Sequence, residues 1–108
     1  MNYTVEHYIT PDDKDQTQEW LDDLRDFRAR IAILRRIDRV ELGNFGDHKS
    51  VGGGVSELRI DVGPGYRVYY AQAGNTLVLL LLGGDKRSQQ SDIEHAISCW
   101  NDWQRRDK

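Results

Sequence analysis

Residues 57–82, ELRIDVGPGYRVYYAQAGNTLVLLLL, decide the fold, because they hold three strand patterns separated by two glycine turns. Polar and apolar residues alternate through the first six positions, and a second strand pattern over residues 66–71 follows the turn Gly63-Pro64-Gly65. Gly74-Asn75 suits a two-residue hairpin loop, so the second and third strands should be neighbours. Leu77 to Leu82 is apolar on both faces, which predicts the central strand of a sheet.

Upstream of these strands the pattern predicts a short strand and two helices. Tyr3 to Ile9 is a β-type run, and Thr10-Pro11 is expected to begin a helix, with threonine as its cap and proline at its first position. Apolar residues from Trp20 to Phe27 share one face of that helix. A second helix repeats apolar residues at steps of three from Ile31 to Val40, and Gly43-Asn44 ends it. Two closely joined helices predict an αα-hairpin.

The rest of the chain supplies one more hairpin and a last helix. Gly52-Gly53-Gly54 is expected to form a hairpin or a flexible turn. Ser91 and Glu94 form a capping-box pattern before the apolar stripe Ile93 to Trp100. The predicted order is therefore β-α-α-β-β-β-β-α. It predicts a single α+β domain over residues 1–108, with an N-terminal strand and helical hairpin, a four-stranded, largely antiparallel sheet and a C-terminal helix.

Composition excludes several classes of protein. Of the 108 residues, 31% are charged, and no apolar run approaches the length of a membrane span. The first residues do not follow the pattern of a secretory signal, so we expect a cytoplasmic protein. A single cysteine, Cys99, excludes an internal disulfide and a cysteine-based zinc site. The glycines lack the lysine of a phosphate loop, and the three histidines are far apart, so neither a cofactor nor a metal is predicted.

Charge is distributed unevenly along the chain. Residues 1–24 carry seven acids and one lysine, whereas residues 25–40 carry six arginines and two acids. The whole chain has a formal net charge of −3. One interpretation is an acidic helix that neutralises a basic helix across the hairpin. The other is a basic helix that faces RNA.

The strand pattern over residues 66–71 carries the candidate chemistry. If Tyr66 and Tyr70 lie in the core, Arg67 and Tyr69 share the opposite face of the sheet. Arg59, on the polar side of the preceding strand, is expected on this same open face. An alternative for Arg59 is an exposed residue paired with an acid across the sheet.

Two further cations, Lys86 and Arg87, follow the third strand and are predicted to reach this face. Cations beside tyrosine rings suit single-stranded RNA, because the cations bind phosphates and the rings stack on bases. Arginine also stabilises charge that develops on a phosphate during strand cleavage.

Several motifs occur in an order that resembles a known family. They are Gly43 to Lys49, Gly54-Val55, Glu57 to Ile60, Gly63 to Tyr70 and Gly83 to Lys86. In this series the chain is similar to the addiction-module killer branch of the RelE/HigB toxins, a HigB-like group within the RelE/ParE superfamily of type II toxins. The likeness extends from Tyr3 to about Trp100, although the Tyr-Arg-Val-Tyr-Tyr element alone is shared with gyrase-poisoning ParE relatives.

The resemblance implies a RelE-like fold and a ribosome-dependent mRNA endoribonuclease, in which the 2′-hydroxyl attacks the adjacent phosphate. Arg67 matches the family's strand arginine and would stabilise the phosphate. Arg59 matches the first basic residue of the preceding strand. Lys86 and Arg87 match a basic pair that positions the RNA backbone or acts as the acid.

Other positions depart from the family pattern or have more than one candidate role. Asp61 stands where some members have a second base, and Ile93 replaces a tyrosine at the start of the last helix, so the general base is not assigned. Lys49 is a candidate for phosphate binding, or for the base if neighbouring arginines depress its pKa. Tyr69 is a candidate for stacking on a base.

The implied partners are the ribosome with its mRNA, and a cognate antitoxin with a helix-turn-helix DNA-binding domain. Operator DNA would be reached only through the antitoxin, and no membrane partner is expected. Two alternatives are a ParE-like inhibitor of DNA gyrase and a non-catalytic co-repressor that only binds its antitoxin. The presence of Arg59, Arg67 and Lys86 together favours the nuclease, because a gyrase inhibitor does not need a phosphate-stabilising set.

Overall fold

The computed structural model of the chain describes residues 2–106. Within this range, five strands, three α-helices and one short 3₁₀ helix follow each other in the predicted order. Their bounds are β1 Thr4–His7, α1 Gln16–Asp23, α2 Phe27–Glu41, β2 His48–Gly52, β3 Val55–Ile60, β4 Tyr66–Ala73, β5 Leu77–Asp85, the 3₁₀ helix Lys86–Ser88 and α3 Gln89–Arg106. The α+β class and the order β-α-α-β-β-β-β-α are confirmed.

All five strands form one sheet in the order β1-β5-β4-β3-β2. Neighbours from β2 to β5 pair antiparallel, whereas β1 lies parallel to β5, with Val5 opposite Val78. The predicted four-stranded sheet is therefore wrong by one strand, because the N-terminal strand joins the edge of the sheet. The central position predicted for Leu77 to Leu82 is also wrong. β4 is central, and β5 is apolar on both faces because helices cover both.

One face of the sheet packs against α1 and α2. Tyr66, Val68 and Tyr70 alternate along β4 toward this face and are at most 8% exposed. They belong to the same buried cluster as Ile33 and Ile37 of α2. The prediction that Tyr66 and Tyr70 lie in the core is confirmed.

The opposite face of the sheet is covered in part by α3. Ala96, Cys99 and Trp100 of α3 are buried in one cluster with Tyr69 of β4. The prediction that this face is open is therefore wrong over Tyr69, which is 0% exposed. Arg59 stays partly exposed on this side, because it lies at the end of β3 beyond Val55, which is buried in the cluster with α3.

The glycine triplet forms the predicted hairpin between β2 and β3. Gly54 has a φ of +84°, and a Cβ atom there would lie 2.7 Å from Nε1 of Trp100. A Cβ atom at Gly53 would lie 2.9 Å from the side chain of Ile97. Close contact with α3 therefore explains Gly53 and Gly54.

The predicted start of the first helix is wrong. α1 begins at Gln16 with Asp15 as its cap, and the Asp15 carboxylate accepts a hydrogen bond from the backbone N–H of Gln18 at 2.9 Å. The Thr10 hydroxyl instead closes a turn, because it accepts a hydrogen bond from Lys14 N at 2.9 Å. A carboxylate at the N-cap also favours the helix dipole, which explains the later start.

The predicted capping box of the last helix is also absent. α3 begins at Gln89, two residues before Ser91, and the Ser91 hydroxyl donates to the carbonyl of Ser88 at 3.0 Å. The chain enters α3 through the 3₁₀ helix, whose cap is Asp85. Asp85 accepts from Arg87 N at 2.9 Å, which places the helix start immediately after β5.

Candidate functional site

β3 and β4 bring Arg59 and Arg67 side by side. The two residues are directly opposite each other in the antiparallel pair, and Gly84 of β5 lies on the far side of Arg67. A cavity of about 290 Å³ opens here, which we call the arginine pocket. Its lining residues are Asp47, Arg59, Asp61, Arg67 and Lys86. The structure thus brings together all three residues that the sequence predicted to be catalytic.

The turn between β3 and β4 holds Lys86 at the pocket. The backbone N–H of Lys86 donates to the carbonyl of Gly65 at 3.1 Å. Gly65 has a φ of +84°, and a Cβ atom there would lie 2.6 Å from Cε of Lys86. Glycine satisfies both the left-handed backbone and this contact. The turn Gly63-Pro64-Gly65 therefore positions the lysine.

A buried carboxylate lies behind Arg67. Glu57 is 1% exposed, and its Oε2 atom lies 3.5 Å from Nε of Arg67. Gln89 donates to Oε1 of Glu57 at 3.0 Å, and Nη1 of Arg67 donates to the carbonyl of Tyr66 at 3.0 Å. Arg67 is itself only 8% exposed. One ion pair and one hydrogen bond restrain the guanidinium, whose buried Nε–H makes no hydrogen bond within residues 2–106.

Asp47 holds Arg59 from the solvent side. Oδ1 of Asp47 lies 3.1 Å from Nη2 and 3.2 Å from Nε of Arg59. Nε of Arg59 also lies 3.9 Å from Oε2 of Glu57. The expectation that Arg59 pairs with an acid across the sheet is therefore met, and Arg59 lines the pocket as well.

The roles of three residues of the site were not expected from the sequence. Glu57 alternates with Arg59 on one side of β3, but no local pattern shows that α3 begins over that position. Gln89 approaches Glu57 only because α3 folds back onto the sheet. Asp47 was detectable, because counting back through the glycine hairpin places it opposite Arg59.

The pocket is less positive than the sequence predicted. Three cations and two carboxylates line it, and the buried carboxylate of Glu57 lies behind them. Lys49 is exposed on β2 opposite Glu57 and does not line the pocket. Arg87 is bound to Asp85, with Nη2 2.8 Å from Oδ2 and its side chain 85% exposed. Hydrogen bonding within this pair raises the pKa of Arg87 and lowers the pKa of Asp85.

Tyr69 cannot stack on a base in this fold. Its ring is 0% exposed beneath α3. Its hydroxyl makes no hydrogen bond to any residue within 2–106, and burial, together with the charge of Glu57, raises the pKa of Tyr69. The prediction that Tyr69 binds RNA is wrong, because the strand alternation identified its side of the sheet but not the helix that covers it.

A larger cavity of about 670 Å³ lies at the other end of the sheet. Trp100 and Trp103 stack there with ring centroids 5.5 Å apart. Its lining residues are Gln72, Ala73, Gly74, Leu77, Trp100, Trp103 and Gln104. None of these side chains is ionisable at neutral pH. Acid–base or charge-stabilising chemistry therefore points to the smaller arginine pocket.

Neither a metal cluster nor a membrane-spanning helix occurs in the part of the chain that the structure describes. Between residues 2 and 106, no three side chains of histidine, cysteine, aspartate or glutamate come together as metal ligands would. The helices in the same range lack the combined length and apolar character that crossing a bilayer requires. Cys99 is buried there without a disulfide partner, and burial raises the pKa of its thiol.

Comparison with known proteins gives two matches. Residues 19–98 match the model of a family described as phage-derived protein Gp49-like (DUF891). An uncharacterized protein of Haemophilus influenzae is 53% identical over 77 residues, which cover 71% of this chain and 78% of the relative. The residues that line the arginine pocket all fall inside the range matched by the family model.

Proposed function

We propose that the chain, which belongs to the phage-derived Gp49-like family, is the toxin of a type II toxin–antitoxin pair. Proteins of this family are addiction-module toxin-like and related to RelE and HigB. Its proposed activity is cleavage of mRNA on the ribosome. The observation that carries this proposal is the convergence of Arg59, Arg67 and Lys86 on one pocket.

The proposed reaction is an attack by a ribose 2′-hydroxyl on the adjacent phosphate. The new O–P bond forms while the bond to the 5′-oxygen breaks, which leaves a 2′,3′-cyclic phosphate and a 5′-hydroxyl. The 2′-hydroxyl gives its proton to a base, and the leaving oxygen takes one from an acid. Negative charge develops on the phosphate between these two events, and fixed cations stabilise it.

The pocket supplies a group for each of these tasks. Arg67 and Arg59 would stabilise the charge on the phosphate, and Lys86 would position the backbone or protonate the leaving oxygen. Asp61 lines the pocket and forms no ion pair within residues 2–106, so its carboxylate is available to accept the 2′-hydroxyl proton. Asp47 is engaged by Arg59 and is less suited to this role.

Glu57 would act through the arginines and not on the RNA. Its side chain is too deeply buried to touch a substrate, yet both arginines lie within 4 Å of its Oε2 atom, at 3.5 and 3.9 Å. A guanidinium held in place before the substrate binds needs no reorganisation as charge develops. The carboxylate therefore belongs to the positioning of Arg59 and Arg67.

The proposed partners are a cognate antitoxin, through whose helix-turn-helix domain operator DNA would be reached, and the ribosome with its mRNA in the cytoplasm. Exposed apolar side chains on α2 support a protein partner. Phe27 is 61% exposed, and Leu34 is 42% exposed on the same side of the helix.

Expression of the chain without an antitoxin, followed by mapping of mRNA 5′ ends, tests the proposed function. We expect cuts within translated reading frames, their loss in Arg67→Ala, and their retention in Arg105→Ala, an exposed arginine of α3. Intact mRNA with accumulated DNA breaks would favour gyrase inhibition. Intact mRNA and intact DNA would favour a co-repressor. Either result would overturn the proposed cleavage.

A further inference from the structure

A second cluster of arginines lies beside the arginine pocket. A cavity of about 270 Å³ opens between α2 and the end of β3, which we call the α2 groove. Its lining residues are Ala32, Arg35, Arg36, Arg39, Ile60 and Val62. Arg59 and Asp61 line the pocket, whereas Ile60 and Val62 line the groove. The segment 59–62 therefore forms a wall shared by the two cavities.

The arginines of the groove have no carboxylate partner. The ion pairs found between residues 2 and 106 include none with Arg35, Arg36 or Arg39. Two acids of the N-terminal segment have local partners instead, since Asp15 lies 2.8 Å from His7 and Asp12 lies 3.8 Å from Lys14. The interpretation that an acidic helix neutralises the basic one is therefore not supported by direct ion pairs. Positive charge stays concentrated on α2, although the chain as a whole carries −3.

Arg36 is fixed at the base of the groove by backbone carbonyls. Nη1 donates to the carbonyl of Arg59 at 2.6 Å, and Nη2 donates to those of Phe45 and Asp47 at 3.0 and 2.9 Å. Burial lowers the pKa of Arg36, the negative charge of Asp47 opposes this shift, and the charge of Arg39 adds to it. Arg36 is thus a partly buried cation that forms no ion pair within residues 2–106, although the charge of Asp47 offsets part of its own.

We infer that the α2 groove binds the phosphodiester backbone of RNA through Arg35 and Arg39, with Arg36 as a fixed positive charge beneath them. The identity of the ligand rests on the proposed function, which places RNA at the adjacent pocket. A strand whose scissile phosphate lies at Arg59 and Arg67 would continue around segment 59–62 into the groove. Guanidinium groups suit phosphate oxygens because they donate in a planar fork.

An acidic protein segment is the competing occupant, and the position of the groove favours RNA. The carbonyl of Arg59 accepts the hydrogen bond from Arg36, so one residue links the charges of the groove to the site of proposed cleavage. Phe27 and Leu34, which suit a protein partner, do not line the groove, where Val62 at 37% is the exposed large apolar side chain. The transcript and ribosomal RNA both present the phosphodiester backbone that the groove would bind.

Binding of two RNA probes by full-length variants tests the inference. Fluorescence anisotropy with a short labelled single-stranded oligoribonucleotide reports on the transcript, and co-sedimentation with ribosomes that lack mRNA reports on ribosomal RNA. Both are measured over a salt series for Arg35→Ala/Arg39→Ala. The control, Arg25→Ala/Arg105→Ala, removes two exposed arginines outside the groove. Arg36 is left unchanged, because its hydrogen bonds support the fold.

We expect the groove variant to bind at least one probe more weakly than the control. The slope of log K against log salt should fall by about 1.4, since each phosphate contact on a single strand contributes about 0.7. The affected probe identifies the source of the RNA. Binding and slopes equal to the control for both probes would overturn the inference, as would loss of antitoxin binding alone. Wild-type protein that binds neither probe would also overturn it.

Failure of the inferred groove binding can be distinguished from failure of the proposed mRNA cleavage. Wild-type protein that binds RNA through the groove but leaves mRNA intact would contradict cleavage and preserve the inference. With an active protein, the groove variant should raise KM for mRNA-loaded ribosomes and leave kcat at the wild-type value. A fall in kcat with unchanged KM would instead assign Arg35 and Arg39 to the chemistry and overturn the binding role.

Discussion

The arginine pocket and the α2 groove lie on opposite faces of the segment 59–62, and they hold their arginines differently. In the pocket, Arg67 and Arg59 meet the carboxylates of Glu57 and Asp47 at 3.5 and 3.1 Å. The arginines of the groove meet no carboxylate within the described chain. A guanidinium bound to carboxylates has a fixed direction and a reduced net charge. Arg35 and Arg39, which lack such partners, keep their charge and their freedom to move, whereas Arg36 is held by backbone carbonyls.

The difference shows how one small protein can separate chemistry from binding. Stabilising a transition state needs donors fixed where charge develops, and the carboxylates of the pocket provide that order. Binding a nucleic-acid backbone needs net positive charge more than fixed geometry. Buried Glu57 also couples the pocket to the stability of the fold, whereas the exposed side of α2 carries no such coupling.

Replacement of Arg67 by lysine should produce the largest effect. Arg67→Lys keeps the charge opposite Glu57 but loses the planar fork, and loss of one fixed donor costs about 10²–10³ in rate. We expect single-turnover cleavage on mRNA-loaded ribosomes to fall by roughly this factor, with a near wild-type melting temperature. Arg105→Lys on α3 is the control. Cleavage at the wild-type rate would show that charge alone suffices and would remove the contrast with the groove.

Removal of the buried carboxylate should destabilise the protein. Glu57→Ala leaves Arg67 only 8% exposed and without a carboxylate, and breaking a buried pair in this way costs about 3 kcal/mol. Urea unfolding measures the loss, and Glu57→Gln should lose less because it fills the same volume. Glu94→Ala, on the exposed side of α3, should stay within about 0.5 kcal/mol of wild type. Equal stability for Glu57→Ala would mean that the pocket arginine does not depend on its partner.

The order of secondary structure was predictable because each signal is local. Glycine turns separate the strands, and alternation along residues 57–62 and 66–71 separates the two faces of the sheet. Cross-strand pairing of Arg59 with Arg67 then follows from the hairpin geometry. The position of β1 was not predictable in this way, because its pairing with β5 joins segments about seventy residues apart in sequence.

The cations of the pocket were predictable from the sequence, although two others named with them, Lys49 and Arg87, do not line it. Arg59, Arg67 and Lys86 were all named from the sequence, and all three line the pocket. Burial of Glu57 and Tyr69 was missed, because it depends on where α3 crosses the sheet. A residue's side of a strand is set by its own position, but its exposure is set by distant parts of the chain.

The turn that holds Lys86 offers a smaller test. Gly65→Ala places a methyl group 2.6 Å from Cε of Lys86 and requires a left-handed backbone, so it should lose about 1–2 kcal/mol of stability and displace the lysine. Cleavage should fall roughly tenfold, less than the full contribution of a general acid. Gly74→Ala is a matched control, since its φ is +66° and no atom lies within 4 Å of the new methyl group. Equal rates for the two variants would show that Lys86 need not be held in place.

The smallest effect is expected when lysines replace the arginines of the groove. Arg35→Lys/Arg39→Lys keeps both charges, and a backbone contact that depends on net charge accepts a point charge in place of a fork. KM for mRNA-loaded ribosomes and the salt dependence of binding should therefore match the wild type, unlike those of the alanine variant. The same substitution in the pocket is expected to be severe. If the lysine variant binds as weakly as the alanine variant, the groove requires the guanidinium geometry too, and the distinction between fixed and free arginines fails.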